Sequence, residues 1–457
     1  MGRYATPATV SRAGILYISE GKQWASFVQS WLDRVILNDE RRHLFKERFD
    51  LILPETLVTV RKDFKHIIQM TEFTFVQTFC FLLEGVISEQ VFPACFAEKV
   101  VEVPVEERRL IEQYFVFCCV WAFGSAMSVK DNTDYRKLFS SWFKNKWSVP
   151  QLAKFPAKGS VFDVFVDPKE AKFEPWTKIV PEIEYDSAIP MDSVTVPTPE
   201  TTAISFFLDV LVKLRRPAML VGLTGAGKTQ LALGKLKELP DEYMYLPINF
   251  NYYTDAIAFQ KVLEGVLEKK AGRNYGPPGT KRLVYFVDDL NLPQLDQYGT
   301  QTPIALMRTH IDHNSWYDRT KLTLKVINKT QYITCMNPSA GSFAVDPRLQ
   351  RHFATFAVSF PSQESLMTIF TTFLRGHLGG KNFDVAIQEM RHNIIQVRRC
   401  HPALLAPLYR SYMPPCCWLD RPHSSCTAKL SHRSAKRRST FTTSSTFGTW
   451  RMFSRGC

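Results

Sequence analysis

The sequence predicts an α/β domain, a largely parallel sheet with helices on both faces, preceded by an all-helical domain. Three observations carry that expectation. Between residues 198 and 361, short apolar runs alternate with helix-length segments. Residues 20–147 hold long apolar-rich stretches at helical spacing and no run of convincing two-residue alternation. An apolar run at 217–222 leads directly into a glycine-rich turn and then a helix-like segment at 228–239.

Taken in order, residues 22–37 place Trp24, Phe27, Val28, Trp31 and Val35 at helical spacing. Residues 64–84 and 108–127 read as two further helices whose aromatics belong to a core. The most apolar stretch, 114–127, falls short of the ~20 residues that a membrane span needs. Glu112 and Lys130 close it on both sides, so a buried helix is expected. Residues 148–193 are expected to form an extended linker, because prolines recur there at Pro150, Pro156, Pro168, Pro175, Pro181 and Pro190. A helix at 203–214 comes next, then strands at 217–222, 244–250, 283–287, 331–336 and 353–360. Helices are expected at 228–239 and 256–269, and a further one begins at 363.

After Val397 the texture changes. The net charge of the whole chain is +13. Residues 398–457 hold 11 basic side chains and one acid, Asp420, which leaves +3 for the first 397 residues. The basicity belongs to a Ser/Thr-rich tail expected to be unstructured. It is no nucleic-acid footprint on the globular part, and no nucleic-acid or membrane partner is expected. Five of the ten cysteines lie in the same 60 residues, and the others fall mostly in apolar runs. That is the usage of reduced, buried thiols. The first residues show no apolar signal-peptide core.

The strongest chemical signal is Gly222-Leu223-Thr224-Gly225-Ala226-Gly227-Lys228-Thr229, which fits GxxxxGK[ST] at every fixed position. Glycines let backbone N–H groups close around phosphates, and the helix start adds a positive dipole end. Lys228 is expected to reach the β/γ-phosphates, and Thr229 to place its hydroxyl on Mg²⁺. The strand 283–287 ends in Asp288 and Asp289, 60 residues after Lys228. Asp288 is expected to hold Mg²⁺, and Asp289 stands where a hydrolytic base or water-positioner belongs. Asn337 ends the next apolar strand, where a polar side chain lies beside the γ-phosphate. Arg348 and Arg351, three apart at the end of a short helix, suit a finger offered to a neighbouring site. Asn328-Lys329-Thr330-Gln331 is like a guanine-reading NKxD, but Gln331 replaces the acid. Cys400, Cys416, Cys417, His423 and Cys426 match no standard zinc spacing.

Together these residues resemble the third AAA+ module of an axonemal dynein heavy chain. The resemblance runs through Gly222–Thr229, VYFVDDLNLPQLDQYGTQTPIALMRTHIDHNSWYDR at 284–319 and YITCMNPSAGSFAVDPRLQRHF at 332–353. ATPATVSRAGILYIS at 5–19 is similar to the end of the second module's large subdomain, and the helical stretch after it to that module's lid. The resemblance implies an AAA+ P-loop NTPase, a RecA-like parallel sheet flanked by helices and preceded by an all-helical AAA+ lid. It divides the chain into the end of a preceding large subdomain (1–19), a lid (20–147), the linker (148–193), the ATP-binding subdomain (194–362), the start of the next lid (363–397) and the tail (398–457).

It implies ATP and Mg²⁺ as cofactors, with Walker A, Walker B and sensor I roles for Lys228, Thr229, Asp288, Asp289 and Asn337. The segment holding Val196 and Pro197 packs near the adenine, and Glu200 stands where the family usually has Asp. Arg12 and Arg351 look like fingers offered to the first and second modules' nucleotides. Asp289 stands where many AAA+ ATPases carry Glu, which fits a regulatory site. The implied partners are the remaining AAA+ modules of a dynein ring and, through the full-length chain, intermediate and light chains and microtubules of the ciliary axoneme. The tail does not resemble the family's second half of that lid, which suggests a truncated or misjoined gene model. Two rivals are another AAA+ remodelling ATPase, for which a basic aromatic pore loop is the missing mark, and a module that holds nucleotide without turnover.

Overall fold

The structure is a computed structural model. It describes residues 23–87, 92, 95, 103–130, 133–147, 155–183, 185–186, 189–338 and 344–378. Arg12, the segment 1–19, most of the second lid and the tail lie outside the described residues.

The helical domain opens with α1 (Gln23–Val35), α2 (Asp39–Asp63), α3 (Glu72–Val86) and α4 (Val105–Gly124). A short hairpin, β1 (Val129–Lys130) with β2 (Thr133–Asp134), leads to α5 (Tyr135–Trp147). The apolar run read as a buried helix is the second half of α4, where residues 110–124 are all buried. Helix α2 lies within the stretch read as helical, although no separate helix was placed at 39–63. Asn38 caps it by accepting from the Arg41 N–H. Two of its arginines are buried and matched to carboxylates on α4. Arg41 makes a two-pronged contact with Glu107 at 2.6–2.7 Å, and Arg48 meets Glu112 at 2.7 Å. A buried charge is tolerated only when paired in this way. Phe49, Phe79 and Phe115 interlock at 4.9–5.0 Å between ring centres.

The expected extended linker is corrected by the structure. It contains an antiparallel hairpin, β3 (Val164–Asp167) and β4 (Lys172–Pro175). Val164 and Val166 are buried while Phe165 and Asp167 are less so, the alternation that a one-sided strand requires. Trp176 comes directly after it, fully buried, its indole N–H donating to the Phe162 carbonyl at 3.0 Å. It packs on Phe117 of α4 and Phe206 of the next helix, α6 (Pro199–Lys213).

The α/β domain continues with β5 (Ala218–Val221), α7 (Lys228–Lys237), β6 (Tyr243–Asn249) and α8 (Ala256–Glu264). After these come β7 (Glu268–Lys269), β8 (Asn274–Gly276), β9 (Arg282–Asp288), α9 (Thr302–His313) and β10 (Ser315–Tyr317). The last elements are β11 (Leu324–Ile327), β12 (Thr330–Met336), α10 (Pro347–Gln350), β13 (Ala354–Ala357) and α11 (Gln363–Leu378). The main sheet has five parallel strands in the order β13-β5-β12-β9-β6. Its strands are the five expected ones, within a few residues at each end.

A second sheet, β10-β11-β8-β7, was not expected. Its strands are two to four residues long, too short to show a period, and the helix read to 269 ends at Glu264. The two domains share one core running from Trp24 to Val358. The loop after α4 also covers the exposed edge of β13. The Ala357 N–H donates to the Ser125 carbonyl and the Ser125 hydroxyl to the Thr355 carbonyl, both at 2.7 Å. Among the described residues, no helix is long and apolar enough to cross a membrane.

Candidate nucleotide-binding site

The site forms where β5, β9 and β12 end side by side. The chain leaves β5 at Gly222, whose N–H donates to the Met336 carbonyl at 3.2 Å. A Cβ there would lie 2.2 Å from the Val358 carbonyl oxygen, so only glycine fits against the strand beside it. Gly225 and Gly227 have φ of +81° and +85°, a conformation that penalises any side chain. Ala226 between them is buried, and α7 then starts at Lys228. The loop is thus shaped by glycine at the three positions where its backbone demands it.

The Lys228 ammonium is buried and donates to the Gly222 and Leu223 carbonyls, each at 2.9 Å. Burial lowers its pKa, and the negative charges around it, Asp288 and Asp289 among them, oppose that shift. One helical position on, the Thr229 hydroxyl donates to the Asp288 carboxylate at 2.7 Å. The other Asp288 oxygen accepts the Asp289 N–H at 3.0 Å. Asp289 sits at φ +53°, and burial, then the neighbouring Asp288, raise its pKa. The Asn337 amide donates to the Thr224 hydroxyl at 2.6 Å, joining the end of β12 to the phosphate loop.

The structure therefore brings Gly222, Thr224, Gly225, Ala226, Gly227, Lys228, Thr229, Asp288, Asp289 and Asn337 into one cluster. Val196, which is buried, and Pro197 lie between two anchored residues. Thr195 just before them donates its hydroxyl to the Gln230 carbonyl at 3.1 Å and packs against Gly234, both on α7. Thr198 just after them caps α6. Arg351 joins a different group. Its guanidinium is about half exposed and bonds Asp312 at the end of α9 at 3.2 Å, with His352 on the same oxygen at 2.9 Å. Arg348 is exposed.

Two residues that no sequence pattern marked brace the site. The buried Asn291 donates its amide to the Asn337 carbonyl at 2.8 Å. The buried Gln301 in turn donates to the carbonyls of Asn291 and Pro293, at 3.4 and 2.6 Å. Only the fold brings them together, across 46 and 10 residues of chain.

The donor set suits a phosphate with a hard divalent cation. Thr229 and Asp288 offer a hydroxyl and a carboxylate in contact, all oxygen, with Asp289 alongside. Among the described residues no group of three or more His, Cys, Asp or Glu could hold a metal by itself. An ion here would thus complete its shell from phosphate and water, as Mg²⁺ commonly does.

Counted along the chain, the sheet order is 5-1-4-3-2, with the phosphate loop after strand 1 and the two acids at the end of strand 3. Fold and site define an AAA+ P-loop NTPase. The family models for the "P-loop containing dynein motor region" and the "Dynein heavy chain AAA lid domain" match residues 183–361 and 45–178. The chain is 49% identical over 405 residues to the dynein alpha chain of the flagellar outer arm of Chlamydomonas reinhardtii. It is 47% identical to human dynein axonemal heavy chain 17 and 48% identical to the ciliary dynein beta chain of Tripneustes gratilla. Each match covers 86% of this chain, which spans 8–9% of the length of those relatives. The chain belongs to the dynein heavy-chain family of AAA+ P-loop ATPases.

Proposed function

We propose that this chain is a segment of an axonemal motor ring, spanning the end of its second AAA+ module and most of its third. Its site takes ATP with Mg²⁺ and serves chiefly as a regulatory nucleotide switch. Lys228 reaches the phosphates, Thr229 and Asp288 hold the cation, and Asp289 and Asn337 set the attacking water. Val196 and Pro197 flank the base. Arg12 and Arg351 serve the first and second modules' sites in the assembled ring. Through the longer protein the segment contributes to microtubule-based ciliary movement, together with the other ring modules and with intermediate and light chains. The domain division is the one the sequence implies, with the hairpin 164–175 added to the first lid.

The observation that carries this reading is the junction of Lys228, the Thr229–Asp288 contact and the Asn337–Thr224 contact at the ends of three neighbouring strands. Titration with a fluorescent ATP analogue and Mg²⁺ tests it. Saturable binding that weakens in Lys228→Ala is expected, and binding unchanged in that variant overturns the reading. Asp289 favours a second reading, a module that holds nucleotide without turnover. Its carboxylate is one methylene shorter than Glu and is held on a left-handed backbone. Phosphate release from an assembled ring in which only this site is intact separates the two.

A further inference from the structure

Residues on both sides of Val196 and Pro197 are tied to different helices, and one tie reaches the helix that opens the second lid. Before them, Thr195 is bonded to α7, the helix that begins at Lys228. After them, Thr198 and Thr201 form a reciprocal cap. The Thr198 hydroxyl accepts the Thr201 N–H at 3.3 Å, and the Thr201 hydroxyl accepts the Thr198 N–H at 2.8 Å. Glu200 lies in the same turn. One oxygen of its carboxylate, Oε2, accepts from the Thr198 hydroxyl at 3.3 Å and from the Ser365 hydroxyl at 2.6 Å.

Ser365 is buried, and its partners fix the direction of its proton. The Ser362 hydroxyl donates to Ser365 Oγ at 2.9 Å, while Ser362 Oγ accepts the Ser365 N–H at 3.2 Å. Ser362 therefore caps α11, and Ser365 carries that cap onto a carboxylate, which can only accept. A hydroxyl-to-carboxylate bond of this length is among the stronger neutral-to-charged contacts. Further along α11, Phe373 meets Tyr185 edge-on at 4.9 Å. Gly376 passes so close to the Tyr185 carbonyl that a Cβ would lie 2.1 Å from its oxygen. Helix α11 is thus seated at two places, on the first turn of α6 and on the chain leading into it.

From this geometry we infer that Glu200 and Ser365 form a latch that positions the base-side wall of the nucleotide site and couples it to α11. The inference rests on the nucleotide-site reading above and names the device by which that site reports its occupancy to the following lid. Both are positioning residues: they hold Thr198, and through it Pro197 and Val196, without touching the phosphates. A wall held in place before binding saves the cost of ordering it on binding. Breaking the latch is therefore expected to weaken nucleotides that carry a base and to spare ligands that are phosphate alone.

The test compares the full chain with Ser365→Ala, Glu200→Ala and Glu200→Gln. A fluorescent ATP analogue is displaced by ATP or by inorganic tripolyphosphate, each with Mg²⁺. Losing one hydrogen bond of this kind corresponds to about a three- to tenfold weaker affinity for ATP in the two alanine variants. Tripolyphosphate is expected to compete as well as it does against the wild type. Glu200→Gln keeps an oxygen where both hydroxyls donate, and is expected to restore most of the ATP affinity. In hydrogen exchange, ATP is expected to protect the α11 amides of the wild type and to leave those of Ser365→Ala unchanged. Wild-type ATP affinity in Ser365→Ala overturns the latch, as does an equal loss of ATP and tripolyphosphate. If neither ligand displaces the probe from the wild type, the nucleotide reading falls and the latch with it.

Discussion

Replacing Lys228 by Met separates what this side chain does for binding from what it does for stability. The ammonium holds two carbonyls of its own loop, Gly222 and Leu223, each at 2.9 Å. To reach the phosphates it must release them. The gain is therefore the difference between two charge-to-phosphate bonds and two charge-to-carbonyl bonds. A phosphate adds a full negative charge to a bond that the ammonium already makes to a carbonyl; at about 1–2 kcal/mol for each of the two, the difference is about 2–4 kcal/mol, or roughly 30- to 700-fold in affinity.

The effect on stability runs by a different route. Burial lowers the Lys228 pKa, so between that value and the ordinary one near 10.5 the unfolded chain binds more protons than the folded one. The folded state thus pays for the charge at neutral pH, and stability rises with pH across that window. Met removes this cost and also removes two hydrogen bonds from a charged donor, worth about 3–6 kcal/mol together. The two changes oppose each other. Thermal melting without nucleotide is expected to shift by only a few degrees, while the stabilisation by ATP and Mg²⁺ disappears. An affinity within threefold of the wild type refutes the exchange argument. A collapse of melting temperature without nucleotide refutes the opposing-terms argument.

Gly222→Ala places a methyl against the Val358 carbonyl and is expected to destabilise the fold by about 1–3 kcal/mol, read from urea unfolding; an unchanged midpoint would show that the β5–β13 contact gives way. Phosphate release by the purified 457-residue chain is expected near background, because the finger read in Arg351 is offered to a neighbouring module's nucleotide rather than to this one, and a finger supplied in trans adds about 10³–10⁵ in rate. Turnover of about 1 s⁻¹ or faster contradicts this. His310 is buried against Tyr332 and Trp316, and burial pushes its pKa down to about 3. Its folded pKa lies below its unfolded one near 6.5, so stability is lost as pH falls below that value, by at most ~1.4 kcal/mol per pH unit. His310→Gln is expected to flatten the dependence of melting temperature on pH between 7 and 5, and an unaltered slope counts against it.

The parts of this molecule that were legible in sequence are those whose cause is local. Gly225, Gly227 and Lys228 announce themselves because the left-handed turn and the helix start demand them within a few residues. The strands β5 and β9 are buried on both faces and so read as apolar runs, AMLV and LVYFV, and the buried β12 holds only Gln331 and two threonines among its apolar residues. The parts that stayed hidden depend on distant partners. On helix α2, Arg41 and Arg48 meet carboxylates more than 60 residues away, so the burial of these two charges was not readable from their neighbours in sequence. The hairpin 164–175 was masked by Pro168 in its turn and Pro175 at its end, and the small second sheet by strands too short to show a period. Asn291, Gln301 and Ser365 are ordinary polar residues in sequence, and only the fold gives them something to hold.

The polar groups that a nucleotide would use are not idle in this structure. Lys228 is bonded to loop carbonyls, Thr229 to Asp288, and Asn337 to Thr224. These contacts keep a loop rich in glycine from spreading and give the Asp288 carboxylate a partner. They also make ligand binding an exchange of partners rather than a simple gain, since each new bond replaces one already made. Such a site cannot take its affinity from the number of its contacts. It takes it from the excess of charge-to-charge contacts over the internal ones, and from how little must be reordered. That is why the bracing residues matter: Asn291 holds the backbone of Asn337 while the Asn337 side chain exchanges partners, and Thr195 and Thr198 hold the wall on either side of Val196 and Pro197. The chemistry-bearing side chains are few and recognisable, but the geometry they depend on is kept by residues that carry no motif.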